Sequence, residues 1–364
     1  MTTIHLAIFG IGNVGSALIN QIQQQKRKFQ ERQQLDIRIS VIANSTLAFF
    51  ANDTRDEWEV DFEKFSEPYN IQDIIHHFKT LGVEHAIAID ATASTAFVEN
   101  YTLLIENGFH IIAANKVANT LDYNFYKELR TVLKQNNKKF LYETNVGAGL
   151  PIVETIRNLH QSGEEIHKIK GVFSGSLSYI FNTYSEEELP FHKVLNNAVV
   201  LGLTEPDPRD DLSGKDVARK LLILARELGL KAELSSVNIT SLVPKQLNGS
   251  TTICEFKQRA FELDDSIKLS TAKQNKDTVL RYIGELDVLK NTLEVKLVSV
   301  PRSSTLGQLK GTDNLIEIYT ESYNEQPLVI QGAGAGKAVT ARGVLSDILK
   351  LCAHLQKVNV HSFN

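Results

Sequence analysis

The densest chemistry in this 364-residue chain lies between Gly202 and Lys220, where Glu205, Asp207, Asp210, Asp211 and Asp216 crowd against Arg209, Lys215, Arg219 and Lys220. Pro206 and Pro208 stiffen the acidic approach, and Val217, Leu221, Leu224 and Leu228 then recur on one helical face. Asp216 and Lys220 stand four residues apart beside that apolar stripe, and Ser213 with Asp216 resembles a capping box. Two readings fit. One is a capped helix with acids at its positive end and a surface Asp–Lys pair worth about 0.2–0.5 kcal/mol. The other is a substrate pocket. Reducing an aldehyde with hydride leaves an alkoxide that needs a proton, and a partly desolvated lysine of lowered pKa can supply it. Nearby carboxylates can hold a substrate ammonium group.

A second lysine, Lys116, follows Ala113-Ala114-Asn115 at the end of a strand pattern. Open parallel sheets bind their ligands at that edge, although lysines there also serve as solvated decoration. Glu143, Val146, Gly147, Ala148 and Gly149 form a glycine-rich bend ahead of Leu150-Pro151. Such a bend is either a domain hinge or a set of inward carbonyls that coordinate a hard cation. Gly10, Gly12 and Gly15 fit the dinucleotide fingerprint between a strand and a helix. There the first glycine permits the tight turn, the second lets the backbone reach a pyrophosphate, and the third allows close helix packing. The second strand pattern ends in Ala43-Asn44-Ser45, without the carboxylate that usually binds a ribose 2′-hydroxyl. NADP is therefore permitted and mildly favoured over NAD, with no nearby arginine as an evident clamp.

These residues need a scaffold of alternating elements. Strand patterns cover Leu6–Phe9, Ile37–Ala43, Ala86–Asp90, Phe109–Ala113 and Lys139–Tyr142, and helical patterns fall near Ile71–Leu81, Ala96–Glu106 and Tyr123–Leu133. This alternation predicts a parallel sheet covered on both faces, an α/β Rossmann dinucleotide-binding domain over residues 1–150, completed by 330–364. Residues 151–329 predict a second, α+β domain, which carries the candidate substrate pocket. Its helices fall at Ile152–Leu159 and near Ser178, Lys193 and Gly214, and its strands at His167–Phe173, Thr278–Leu286, Thr292–Val300 and Leu315–Thr320. Leu328–Gln331 reads as one more strand before Gly332–Gly336, and a helix over Val339–Leu355 follows. The acidic segment Asp53–Glu67, with Trp58, reads as a surface excursion.

Composition excludes other classes. With 42% hydrophobic and 23% charged residues the chain is globular, and a net charge of −4 without basic blocks offers nothing to nucleic acid or anionic lipid. Apolar runs are too short for a membrane span, no signal peptide is read, and two distant cysteines fit a reducing, cytoplasmic setting.

Together these segments resemble the homoserine dehydrogenase family. The resemblance runs from Ile8 to about Asp347 through the glycine fingerprint, Ala-Asn-Lys at 114–116, the 142–151 stretch, 171–182 and Glu205–Pro208. It implies NAD(P)-dependent interconversion of L-aspartate 4-semialdehyde and L-homoserine, with Lys220 as acid/base, Asp211 supporting it, and Lys116 also in the site. Glu205 and Asp216, with Lys116, are implied to bind the substrate. Gly10, Gly12, Asn13, Val14, Gly15, Asn44, Thr92, Ser94, Lys116, Gly202 and Gly334 make up the expected cofactor contacts. Glu143, Val146 and Ala148 look like the family's monovalent cation site, for sodium or potassium. A homodimer is implied, with Thr278–Thr320 as its hairpin-rich interface sheet. Ser174-Gly175-Ser176 departs from the Asn-Gly-Thr of many members but keeps a hydroxyl. The chain is expected to be monofunctional, without a C-terminal regulatory domain or threonine feedback through one. The rivals are an aspartate-pathway dehydrogenase that uses a cysteine nucleophile, or no such nucleophile, and a nucleotide sensor that lost catalysis.

Overall fold

The computed structural model describes residues 1–51, 53, 57–187, 189–249, 251–271 and 277–361. The chain divides into two compact units, Met1–Gly149 with Gly336–Asn364, and Leu150–Ala335. Among the described residues the first unit carries strands β1 (Thr2–Phe9), β2 (Leu35–Ala43), β3 (Leu47–Phe50), β4 (Glu67–Pro68), β5 (Ala86–Asp90), β6 (Phe109–Ala113) and β7 (Phe140–Leu141). They lie in the order β4-β3-β2-β1-β5-β6-β7. β2, β1, β5, β6 and β7 are parallel, while β3 and β4 add an antiparallel edge.

Side chains alternate between two cores. Ile4, Leu6, Ile8, Ile87 and Ile89 enter one, under the helices Asn13–Gln33 and Lys337–His361. Ala7, Phe9, Ala86 and Ala88 enter the other, under Ile71–Thr80, Tyr101–Glu106 and Tyr123–Gln135. Burial on both faces is why these strands read as unbroken apolar runs.

The segment read as a surface excursion instead feeds the first core. Its helix Trp58–Phe65 buries Trp58 and Phe62, and the Trp58 indole N–H donates to Asn20 Oδ1 at 2.8 Å. One large aromatic with a satisfied polar end outweighs the acids around it. Residues 54–56 of that segment lie outside the described residues.

The second unit holds β8 (Ile166–Val172), β9 (Asn238–Ile239), β10 (Thr278–Asp287), β11 (Thr292–Pro301), β12 (Asp313–Thr320) and β13 (Leu328–Ala333), ordered β13-β12-β8-β10-β11-β9. β10 and β11 form the expected hairpin, but β12 leaves it and pairs with β8 and β13. The intervening loop explains the departure. Leu306 and Leu309 fold onto Val279, Ile283, Val300 and Leu315, and the buried Arg281 guanidinium donates to the carbonyls of Leu306 and Gly307. Residues 330–335, expected with the first domain, lie in β13 and the turn after it and belong to the second unit. No helix among the described residues is long and apolar enough to cross a membrane.

The helix Lys215–Glu227 packs onto β10 where Gly284 leaves space: a Cβ there would stand 3.0 Å from Val217 Cγ1 and Leu221 Cγ. Its start corrects the capping-box expectation. Gly214 is the N-cap, at φ +73°, and has no side chain with which to cap the helix. Ser213, one residue earlier, donates its hydroxyl to the Asp210 carbonyl at 2.8 Å and accepts from the Lys215 N–H at 3.3 Å, without the reciprocal Asp216 bond of a capping box. Space decides the matter, since a Cβ on Gly214 would lie 2.3 Å from the Tyr282 hydroxyl. Gly214→Ala is expected to cost more than the roughly 1–2 kcal/mol of a left-handed alanine, because Tyr282 must yield its hydrogen bond to the Thr240 carbonyl. Gly229→Ala, at φ +74° in open space, is expected to show only the backbone penalty. Denaturant midpoints of the two variants compare them directly.

Candidate active site

The first unit assembles a phosphate cradle from three glycines. Gly10 sits at φ +94°, and a Cβ there would meet the Ala91 carbonyl at 2.9 Å. On Gly15 a Cβ would fall 1.8 Å from the Gly10 carbonyl oxygen, whereas on Gly12 it would meet nothing within 4 Å. Gly12 therefore keeps an open approach where the other two are packed tight. Asn13 and Val14 begin the helix, whose first turn carries neither a side-chain cap nor an acid. Its leading N–H groups and positive end suit an anion.

Beside this cradle lies a cleft of about 380 Å³, lined among others by Asn44, Ser45, Tyr69, Thr92 and Ser94. Asn44 Oδ1 accepts from the Thr46 and Leu47 N–H groups at 2.8 and 2.7 Å, and its carbonyl accepts from the Tyr69 hydroxyl at 3.0 Å. Sequence reasoning missed the residue that orders the opposite wall. Asp90 ends β5 almost fully buried, and accepts from Thr92 N–H at 2.8 Å, the Tyr101 hydroxyl at 2.7 Å and Asn115 Nδ2 at 2.9 Å. Asn115 Nδ2 also donates to the Ser94 carbonyl at 3.0 Å. Burial raises the Asp90 pKa and raises that of Tyr101 well above the usual phenol range. The available signal was a lone acid closing an apolar strand, where a carboxylate must find partners.

Lys116 follows Asn115 and is half-buried, at the start of the short helix Val117–Thr120. Its carbonyl accepts from the Asn119 N–H and the Thr120 hydroxyl, both at 3.1 Å. The 143–149 bend begins with a single 3-10 turn at Glu143–Asn145 and continues through Gly147 and Ala148 at φ +77° and +53°. Glu143, Val146 and Ala148 are buried there, and the Glu143 N–H donates to the buried carboxylate of Asp347 at 2.9 Å.

The second unit gathers the acidic segment around a pocket of about 410 Å³, lined by Ser174, Glu205, Asp211, Asp216 and their neighbours. Lys220 is 8% exposed. Its ammonium donates to the Phe173 carbonyl at 2.7 Å and pairs with Asp216 Oδ2 at 2.9 Å. Asp211 bonds elsewhere: it accepts from the Ser176 hydroxyl at 2.6 Å and from the Glu205 N–H at 2.8 Å. Ser176 therefore keeps the hydroxyl role expected of it. Arg209 forks onto Asp207 and reaches the Thr251 carbonyl at 2.8 Å, which fastens the proline-stiffened approach. Gly202 and Gly334 have local explanations. Gly202, at φ +67°, terminates the helix Phe191–Val200, and a Cβ on Gly334 would overlap the buried Asn314 amide at 2.0 Å.

An N-terminal parallel sheet with a glycine cradle, and a second unit holding a buried lysine in an acidic pocket, define the class of dinucleotide-dependent oxidoreductases. A family model described as homoserine dehydrogenase matches residues 151–349, and one described as homoserine dehydrogenase, NAD binding domain, matches residues 10–143. Homoserine dehydrogenase of Paracoccidioides brasiliensis is 34% identical over 97% of this chain and 99% of its own length. The chain belongs to the homoserine dehydrogenase family. It is also 40% identical, over 97% of its length, to the chloroplastic bifunctional aspartokinase/homoserine dehydrogenase 2 of Zea mays, and spans about two fifths of that longer protein. A crystal structure of a Candida auris protein of unknown function superposes with a TM-score of 0.89 at 32% identity, covering 97% of this chain and 99% of that one. A hyperthermophilic archaeal homoserine dehydrogenase in complex with NADPH shares the fold, with a TM-score of 0.71 at 23% identity, covering 96% and 97%.

Two outcomes follow from this geometry. Asp90→Ala strands the buried Tyr101 hydroxyl, at about 1–3 kcal/mol for a buried group left unpaired, and takes one of two partners from the Asn115 amide, which keeps the Ser94 carbonyl. It is expected to unfold at clearly lower denaturant than Tyr101→Phe, which removes one bond with its donor. The second concerns pH. Burial, helped by the charges of Asp216 and Asp210, raises the Asp211 pKa. The folded chain then holds that proton to higher pH than the unfolded chain, so its contribution to stability is fullest at low pH and is lost as pH rises through the raised value. Asp207, lowered by its Arg209 hydrogen bond, acts in the opposite sense. Asp211→Asn should therefore flatten the fall in stability on the upper side of the ordinary aspartate range, as read from denaturant midpoints across acid pH.

Proposed function

We propose that this chain catalyses the reversible NAD(P)-dependent interconversion of L-aspartate 4-semialdehyde and L-homoserine, a step of threonine, methionine and isoleucine biosynthesis. The observation that carries this reading is the buried Lys220 ammonium, held by one carbonyl and one carboxylate in a pocket of acids. The nicotinamide cofactor supplies or accepts the hydride. Lys220 gives its proton to the alkoxide oxygen formed from the aldehyde and takes it back in the other direction. Glu205 and Asp216 hold the substrate ammonium, and Asp211 fixes the Glu205 backbone. Lys116 joins the substrate and cofactor contacts.

Gly10, Gly12, Asn13, Val14 and Gly15 would hold the cofactor pyrophosphate, with Asn44, Thr92, Ser94, Gly202 and Gly334 as further contacts. NADP is favoured mildly over NAD: no acid lines the cleft beside Asn44 and Ser45 to repel a 2′-phosphate, and the archaeal relative was crystallised with NADPH. Glu143, Val146 and Ala148 would hold a monovalent cation, sodium or potassium. Two things support a cation there: Glu143 and Asp347 are both buried, with the Glu143 N–H donating to the Asp347 carboxylate, and the buried Thr144 hydroxyl has no hydrogen-bond partner among the described residues. The reading includes a homodimer through the second unit's sheet and a cytoplasmic location, which the unpaired thiols of Cys254 and Cys352 suit. Cys352 is unsuited to be the nucleophile of a cysteine-dependent dehydrogenase: it is buried, and burial pushes its thiol up to about 12.

Purified protein with L-homoserine and NADP or NAD at alkaline pH should reduce the nicotinamide, followed by its absorbance, and Lys220→Ala should lose roughly 10²–10⁴-fold in kcat. A folded protein that binds cofactor but turns over with neither would sink the dehydrogenase reading in favour of a sensor. Replacing sodium and potassium by tetramethylammonium at equal ionic strength is expected to lower the melting temperature. Equal midpoints in all three salts would remove the cation from the proposal.

A further inference from the structure

The turn that carries Lys116 is closed by a side chain from another segment. Asn145 is fully buried, and its amide makes two bonds: Nδ2 donates to the Ala113 carbonyl at 2.8 Å, and Oδ1 accepts from Asn119 Nδ2 at 2.9 Å. Ala113 is the last residue of β6 and Asn119 lies in the helix after Lys116, so one amide grips both ends of the turn. The grip is buttressed from outside. Arg130 donates to Asn119 Oδ1 at 2.7 Å and to the Tyr142 hydroxyl at 3.0 Å, and its guanidinium lies 3.8 Å from the centre of the Tyr126 ring. Asn119 in turn donates its own N–H to the Lys116 carbonyl. On the other side Asn115 is tied to Asp90 and Ser94, which fixes the entry to the turn.

We propose that Asn145 is a positioning residue that sets the Lys116 backbone, and through it the Lys116 side chain, for the reaction. The inference rests on the reading of Lys116 as a site residue. Without the Asn145 amide, the Ala113 carbonyl and the Asn119 amide lose buried partners, and the turn is free to shift by the fraction of an ångström that matters to a reacting group. An amide fits where a carboxylate does not, because the position must donate to the Ala113 carbonyl and accept from Asn119 at once.

The test is a double-mutant cycle on kcat/KM for L-homoserine oxidation with Asn145→Ala, Lys116→Ala and the double variant, plus cofactor affinity from the fluorescence of the reduced nicotinamide. Asn145→Ala is expected to lower kcat/KM by on the order of tenfold to a hundredfold, yet to add nothing when Lys116 is already alanine. Asn145→Ser, which keeps a hydroxyl without adding charge but is too short to reach both partners as the amide does, is expected to fall between the wild type and Asn145→Ala, and serves if the alanine variant does not fold. Effects that multiply in the double variant would overturn the proposal, as would wild-type activity in Asn145→Ala. Wild-type activity in Lys116→Ala, together with loss in Asn145→Ala, would instead overturn the reading of Lys116.

Discussion

The first unit depends on a contact that leaves no room for a side chain. The Gly15 Cα packs so closely on the Gly10 carbonyl that a Cβ would overlap it, and Gly10 in turn lies close against Ala91, just past the end of β5. Two parallel strands and the first helix are thereby drawn to one point, and the helix N-terminus opens beside it without an acid or a cap. Everything proposed for cofactor binding in this unit follows from that approach. It also explains why Gly12, where an added Cβ would meet nothing within 4 Å, differs in kind from the other two: the space beside it stays open for a ligand.

The second unit faces a different constraint, the cost of burying charge. An ammonium as enclosed as that of Lys220 is tolerable only with oxygen partners at hydrogen-bond distance, and the chain supplies the Phe173 carbonyl and the Asp216 carboxylate. Asp211, also largely withdrawn from water, is satisfied by Ser176 and the Glu205 N–H. The acids of this segment thus divide by function. Asp207 is spent on Arg209 and Asp211 on organising the loop, while Asp216 pairs with the lysine at the edge of the pocket that Glu205 also lines.

The first unit places polar side chains at or just beyond strand ends and lets buried amides and carboxylates join the loops between them. Asp90 with Asn115 and Asn119 with Asn145 are such joints. Each is fully hydrogen-bonded in a dry setting, where a missing partner would be costly, so each specifies one loop conformation rather than several.

Sequence by itself determined the elements with strong periodicity and the motifs with local meaning. The apolar runs of β5 and β6, the glycine fingerprint and the stripe on Lys215–Glu227 are all legible because their physics lies within one element. Long-range partners were not. Nothing local distinguishes Gly214 as a helix start, since the reason is the Tyr282 hydroxyl from β10. Trp58 looked like an ornament of an acidic surface until Asn20 and the first core received it. The departure of β12 from its hairpin was decided by Arg281 on β10 and two leucines in the loop before β12, and the role proposed for Asn145 by Ala113 and Asn119. Hydrophobic pattern and glycine spacing act over a few residues and can be read along the chain. Buried hydrogen bonds and steric exclusion act between residues that only folding brings together.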